Sequence, residues 1–331
     1  MKRSELIEIS QALASKLQSV DYDKLPISNY NKQYIYRIYS SLPYYLKIYA
    51  DCIYKGIIST KISPSGITFI DYGGGNGFLS FLAKEIGIKQ VIYIDLNPLS
   101  VETVKVLKQQ LTIGPDIILQ GNSDALANWC EARQITPQLL IATDLIEHVY
   151  DLERFFSDLC GINPGMEMIF TTASNPCNPI VKRRLHKFMQ ACELGMAVEP
   201  NYYTRRKNFI EKHYPNLSEK QVEAWSRCTC GLIYDDIRKA IKINHQPVPE
   251  DKYNTCDPET GNWAERILPV RYYKDLLELY DYKLIVRKGF YNIRRNNVFT
   301  SCLFRCMNGF IRCFGRLGLF LSPYIILHGR K

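Results

Sequence analysis

Ile67-Thr68-Phe69-Ile70-Asp71-Tyr72-Gly73-Gly74-Gly75-Asn76-Gly77-Phe78 decides how the rest of the chain is read. Its first five residues form a short apolar run ending on a carboxylate, the pattern of a buried strand. Three consecutive glycines, an asparagine and a fourth glycine then turn the chain, and Phe78 to Ile86 follows with helical spacing. A glycine-rich turn between strand and helix lets backbone amides approach a ligand, at a helix N-terminus whose dipole favours negative charge.

The same texture repeats outward from this turn. Val91 to Asp95 is a second strand ending in an acid, with a helix through Val101 to Leu111 behind it. Ile117 to Gln120, Leu139 to Thr143 and Met166 to Thr171 are the third, fourth and fifth strands, with helical segments between. Strands alternating with helices imply βαβ units and a Rossmann-like, doubly wound α/β fold. Residues 1–66 read as an N-terminal helical cap. The tyrosines between Tyr30 and Tyr54 suit either packing against a neighbouring layer or stacking on a ligand.

Pro176 to Pro269 breaks the rhythm. It is polar, tyrosine-rich and mostly helical (Val181 to Leu194, Ser218 to Arg227, Asp235 to Ile243), with a loop at Pro247 to Gly261. Alternation resumes with a helix at Tyr272 to Tyr280 and strands at Lys283 to Arg287 and Tyr324 to His328. The expectation is one α/β domain with a mostly parallel seven-stranded sheet. Residues 67–176 and 270–331 form its core, and 177–269 a largely helical insertion after the fifth strand.

With 46% apolar and 23% charged residues in 331, the composition excludes a disordered chain and a polytopic membrane protein. The net charge of +9 is unevenly spread. Residues 1–176 hold 15 Lys+Arg against 18 Asp+Glu, and residues 177–331 hold 27 against 15. Tyr282 to Lys331 carries ten basic residues and no acidic one, which calls for an anionic partner. Eleven scattered cysteines, an odd number with no Cys-x-x-Cys pair, read as reduced thiols of a cytoplasmic protein. The start, Met1-Lys2-Arg3-Ser4-Glu5, leads into an amphipathic pattern and not into the apolar stretch of a signal peptide. No apolar run reaches the ~18 uncharged residues of a spanning helix.

A dinucleotide fold of the G-x-G-x-x-G type would need glycine at position 78, which is Phe78; the third glycine comes one residue early, at Gly77. This G-x-G-x-G turn, with Asp71 before it and Asp95 ending the second strand, resembles the first motifs of class I S-adenosylmethionine-dependent methyltransferases. A nicotinamide enzyme is the competing reading of the turn. The resemblance implies S-adenosylmethionine as cofactor, held by Asp71, Gly73, Gly75 and Gly77. It also implies that Asp95, followed by Leu96, takes the ribose diol, since a carboxylate accepts two hydrogen bonds from a cis-diol. Gly121-Asn122-Ser123-Asp124-Ala125-Leu126 falls where the family reads the adenine amino group, usually with an acid directly after the glycine. Here that position is Asn122, which leaves Asn122, Ser123 and Asp124 as candidates.

Asp144-Leu145-Ile146-Glu147-His148-Val149 looks like the family's Leu-Glu-His-Val signature. Asp144, Glu147 and His148 stand at i, i+3 and i+4, so a helical turn would put all three on one face. Ubiquinone-pathway O-methyltransferases have a similar cluster, thought to hold a divalent cation that could grip a phenolate. The other reading, which we take, needs no metal: Asp144 caps the helix, Glu147 favours its positive end and His148 lines the pocket. An alcohol acceptor must lose a proton, and His148 has suitable basicity, with His186, Asp257, Glu259 and Glu265 as rivals.

The insertion is expected to form the acceptor pocket. Asn254 to Arg266 looks like a segment of bacterial methyltransferases encoded with surface-polysaccharide genes, which makes Asp257, Asn262, Trp263 and Arg266 the candidate acceptor contacts. Asn, Asp and Thr match sugar hydroxyls, and Trp263 is either a flat stacking face or a core plug. Lys182-Arg183-Arg184 with Lys187, and Arg205-Arg206-Lys207, either meet a phosphate or are solvated helix faces. From Phe299 to Leu321, Arg305, Arg312 and Arg316 share one stripe of a helix rich in aromatics. That helix either lies on an anionic membrane or packs on the sheet with its arginines outward. No nucleic-acid-binding module is recognisable.

The expectation is therefore an S-adenosylmethionine-dependent O-methyltransferase of a glycan hydroxyl, on a lipid- or phosphate-linked surface-polysaccharide precursor. It would be cytoplasmic or peripheral on the inner face of the membrane. Two alternatives are a metal-assisted O-methyltransferase of a lipophilic phenol or other small metabolite, and a non-catalytic S-adenosylmethionine-binding module.

Overall fold

A computed structural model describes residues 2–248, 251–294 and 297–331. Three helices come first: α1 (Arg3–Gln18), α2 (Asn29–Ile38) and α3 (Leu42–Thr60). Then follow β1 (Thr68–Tyr72), α4 (Phe78–Glu85), β2 (Gln90–Asp95), α5 (Pro98–Leu111), β3 (Ile117–Gln120), α6 (Ser123–Ala132), β4 (Leu139–Thr143), α7 (Leu152–Ile162) and β5 (Glu167–Thr172). The insertion holds α8 (Pro179–Glu193), α9 (Tyr202–His213), α10 (Glu219–Cys228), α11 (Tyr234–Lys242), β6 (Thr255–Cys256) and β7 (Trp263–Glu265). The chain closes with α12 (Val270–Glu278), β8 (Lys283–Lys288), α13 (Val298–Cys313) and β9 (Ile325–Arg330).

The main sheet has seven strands in the order β3-β2-β1-β4-β5-β9-β8. Pairing is parallel through β5, and β9 runs antiparallel to both β5 and β8. The expected doubly wound, mostly parallel sheet is therefore present. Alternate residues along each strand serve opposite layers. Phe69, Val91, Tyr93, Leu139 and Ile141 join the cluster formed with α1, α3, α4 and α5. Ile70, Ile92, Ile94, Leu140 and Ala142 join that of α6, α7 and α12. Burial on both faces explains why these strands read as continuous apolar runs. The insertion has two small apolar clusters of its own, one around Met189 and Cys192, the other around Ile210, Trp225 and Ile237.

The loop expected at Pro247 to Gly261 instead leads into a two-stranded hairpin, β6 with β7, whose strands are too short for any period to reveal. The run Arg205-Arg206-Lys207 is neither a phosphate site nor a solvated face. Arg206 is wholly buried, gripping Glu193 and donating from Nε to the Ser226 carbonyl at 3.2 Å. Arg205 pairs with Asp257 at 3.0 Å and Lys207 with Glu211 at 3.7 Å. The helix expected to lie either on a membrane or on the sheet does not pack on the sheet: of α13 only Ile311 is buried. All eleven cysteines are unpaired. Among the described residues no helix is long and apolar enough to cross a membrane.

Candidate active site

The glycine turn sits at the carboxyl end of β1. Gly73, Gly75 and Gly77 have φ of +65°, +52° and +74°, left-handed conformations that favour glycine. The Gly73 amide donates to the Ile94 carbonyl at 2.8 Å, tying the turn to β2. A Cβ on Gly73 would lie 2.0 Å from Leu145 Cδ1, whereas one on Gly75 would meet nothing within 4 Å. The turn is thus packed from below at Gly73 and open at Gly75.

Asp95 borders that open side. Its Oδ2 accepts from the Gly75 amide and its Oδ1 from the Asn97 amide, both at 2.8 Å. A carboxylate offers about four lone-pair sites, so two remain for a diol. The half-buried position raises the Asp95 carboxyl, a shift opposed by these two amides. Leu96 beyond it is 67% exposed. Asp71, expected among the cofactor contacts, lies instead beneath the turn. Its Oδ2 accepts from the Ser80 amide at 2.9 Å and the Ser80 hydroxyl at 2.7 Å, clamping the start of α4 to β1. Burial pushes the Asp71 carboxyl up to about 7, against the pull of the Ser80 bonds.

After β3, Asn122 caps α6 by accepting from the Ala125 amide at 2.9 Å. Ser123 is buried and donates to Asp158 at 2.6 Å, which removes it from the adenine candidates. Asp124 is exposed, 4.0 Å from Arg154.

Asp144, Glu147 and His148 do not share a helical face. Asp144 has φ of +49°, and only Ile146–His148 form a single 3-10 turn. Nor does Asp144 cap the next helix: Asp151 does, accepting from the Arg154 amide at 2.9 Å. Glu147 is buried, with Oε1 accepting from the Ala173 amide at 3.2 Å. Burial, then the charges of Asp144 and Glu265, hold its carboxyl well above the usual range. Among the described residues no group of three or more His, Cys, Asp or Glu is arranged to hold a metal ion.

Asp144 is exposed to the open mouth of the site, yet desolvation by the surrounding protein and the neighbouring Glu265 push its carboxyl up to about 6, while His148 pulls it down. Glu265, on β7, accepts from the Ser174 hydroxyl at 2.6 Å. Tyr34 and Tyr49, from α2 and α3, sit within the field of Asp144, so some of the N-terminal tyrosines border the site as well as pack. These two, with Ser174 and Glu265, come together only through the fold.

His148 is half-buried, and its Nδ1 lies 2.7 Å from the main-chain carbonyl of Trp263. A carbonyl only accepts, so Nδ1 carries a proton and Nε2 is the ring nitrogen left to take one. The rival bases are engaged or exposed. His186 stacks on Tyr253 at 3.9 Å, Asp257 is held by Arg205, and Glu259 is exposed. Asn262 is exposed too. Trp263 is buried, stacked with Tyr150 at 6.0 Å and covered by the Arg266 guanidinium at 4.5 Å, so of the two readings it is the plug and not an open stacking face. A cavity of about 360 Å³ beside it is lined by Tyr150, Cys230, Asp251, Asn254, Trp263 and Arg266, among others.

No protein-family model matches the chain. The ribosomal protein L11 methyltransferase of Thermosipho africanus is 32% identical over 95 residues, 29% of this chain and 35% of that protein. Its counterpart from Anoxybacillus flavithermus is 30% identical over 107 residues, 32% of this chain and 34% of that one. The chain thus spans about a third of the length of the curated relatives it matches. Among solved structures, an S-adenosylmethionine-dependent methyltransferase from Mesorhizobium loti aligns over 82% of this chain and 93% of its own, at TM-score 0.40 and 15% identity. One from Archaeoglobus fulgidus covers 85% and 94%, at TM-score 0.36 and 13% identity. An O-methyltransferase family protein from Burkholderia thailandensis covers 87% and 58%, at TM-score 0.37 and 9% identity.

Proposed function

We propose that this chain, built on the class I S-adenosylmethionine-dependent methyltransferase fold, is an O-methyltransferase that uses His148 as general base on a glycan hydroxyl. The observation carrying this reading is the His148–Trp263 bond, which leaves Nε2 as the proton acceptor at the carboxyl end of β4. The residues present fit the donor. The open side of Gly75, the two remaining acceptor sites of Asp95 and the Asn122 end of α6 offer a cradle with hydrogen-bonding groups for a nucleoside. Asp95 and Asp144 supply negative charge, which suits a sulfonium cation. Bound there, S-adenosylmethionine would supply an electrophilic methyl group.

The chain's own work is to position the hydroxyl, exclude water and remove one proton. Nε2 of His148 takes that proton as the acceptor oxygen gains its methyl group. Above pH 6 the ionised Asp144 stabilises the resulting imidazolium. The acceptor would enter from the insertion side, where aromatic rings, Arg266, Asp251 and Asn254 supply stacking and hydrogen-bonding groups suited to a phosphate- or lipid-linked sugar.

The test is methyl transfer from donor carrying a labelled methyl group into a cell-envelope glycan extract, a set of phenols and ribosomal protein L11, each with and without chelator. Label in the glycan fraction, undiminished by chelator, is the expected result. Label in phenols lost to chelator would establish the metal-assisted alternative, and label in L11 would move the acceptor to protein. Donor binding without any transfer would make the chain a binding module.

A further inference from the structure

We propose that α13 and the turn after it form a docking surface for an anionic lipid bilayer. Among the described residues the helix is anchored mainly along one edge. Phe304 stacks on Tyr291 at 4.8 Å, Asn308 exchanges hydrogen bonds of 2.7 and 3.0 Å with the Tyr291 main chain, and Ile311 is buried. The opposite side is a continuous apolar stripe. At ~100° per residue, Phe299, Leu303, Phe310 and Phe314 fall within an arc of about 60°, which Cys302, Cys306 and Cys313 widen to about 120°. All four are exposed, Phe299 by 77%, and Leu317 and Phe320 in the following turn extend the patch at 61% and 55%. Such a patch on water needs a cover.

Charge decides which cover. Arg305, Arg312 and Arg316 are exposed along one border of the stripe, and among the described residues none of them pairs with an acid. The fifty residues from Tyr282 to Lys331 contain ten Lys+Arg and no Asp or Glu. Aromatic residues on one face and unpaired arginines beside them are what an interfacial helix presents to acyl chains and to anionic headgroups. A protein partner would need a matching acidic rim, and a second copy of this chain would set these arginines against one another. The surface belongs to the link between β8 and β9, and its binding to lipid does not depend on the reaction proposed above.

The structure supplies its own reporters. Cys302, Cys306 and Cys313 lie in the same stripe and are the exposed thiols of the described chain, the other eight being buried or half-buried. The full chain is mixed with phosphatidylcholine vesicles, with or without phosphatidylglycerol, floated through a density gradient, and labelled with a water-soluble maleimide. Expected are flotation with the anionic vesicles alone and at least tenfold slower labelling of these three cysteines when bound. Replacing Arg305, Arg312 and Arg316 together by Gln should weaken partitioning about a hundredfold. Phe310→Ser with Phe314→Ser should weaken it with the arginines intact; both sets are solvent-facing, so the fold persists. The proposal is overturned if anionic vesicles do not float the protein, if neutral vesicles float it equally, or if protection of the thiols appears with rising protein concentration and no lipid.

Discussion

His148 and Trp263 lie 115 residues apart in sequence and are joined by a 2.7 Å contact between a ring nitrogen and a main-chain carbonyl. The orientation of the candidate base is therefore set by the insertion and not by the strand that carries it. His148→Ala should lower turnover by roughly 10²–10⁴-fold, the range for a lost general base. Donor affinity, read by calorimetry, should stay within about twofold because the ring does not belong to the glycine cradle. Unchanged turnover would remove His148 from the reaction.

Gly73 and Gly75 should respond differently to the same methyl group. Gly73→Ala combines left-handed strain with a Cβ 2.0 Å from Leu145, so it should destabilise the fold and abolish donor binding together. Gly75→Ala carries the strain alone, about 1–2 kcal/mol, and places its methyl in open space beside Asp95. Its main effect should be on donor affinity. Thermal melts and donor titrations separate the two, and equal losses of stability would contradict the geometry.

Asp71 makes stability pH-dependent. Its carboxyl is pushed from 3.8 up to about 7, so between those values the folded state holds a proton that the unfolded state has lost. The stabilisation is complete below about pH 4 and is lost as pH rises through 7, a change on the order of 4 kcal/mol. Asp71→Asn keeps an acceptor oxygen for Ser80 and has no proton to lose. Urea midpoints from pH 4 to 8 should fall less steeply in this variant; an identical slope would show that Asp71 is not the group responsible.

Arg206 and Glu193 form the buried ion pair that anchors α9 to α8. Arg206→Met should cost about 3–5 kcal/mol by leaving a partly buried carboxylate without its partner. Combining it with Glu193→Leu should recover a large part of that loss. A double-mutant cycle by urea unfolding checks this, and strictly additive losses would show that the two side chains do not interact.

The order of strands and the glycine turn were legible because they depend on local chemistry: apolar runs buried on both faces, and left-handed turn positions that glycine alone occupies readily. Asp95 was legible for the same reason, since it ends a strand beside that turn. Asp71 was found but misassigned, because a strand-ending carboxylate reads alike whether it faces a ligand or clamps a helix. The i, i+3, i+4 spacing of Asp144, Glu147 and His148 suggested a helix, but a positive φ at Asp144 breaks the chain there. Arg206 looked like its neighbours because a basic run does not disclose which member meets Glu193. Ser174 carries no motif, Tyr49 is one tyrosine among many and Glu265 was one rival base among four; only the packing of α3, β5 and β7 brings them together at the site.

The Trp263 contact has a further meaning. Every amino acid offers the same main-chain oxygen, so the side chain at 263 can be exchanged without releasing His148, provided the hairpin keeps its register. Selectivity and reactivity are thereby uncoupled: the acceptor wall is free to diversify, while the imidazole remains aimed in one direction by a part of the polypeptide that mutation does not alter.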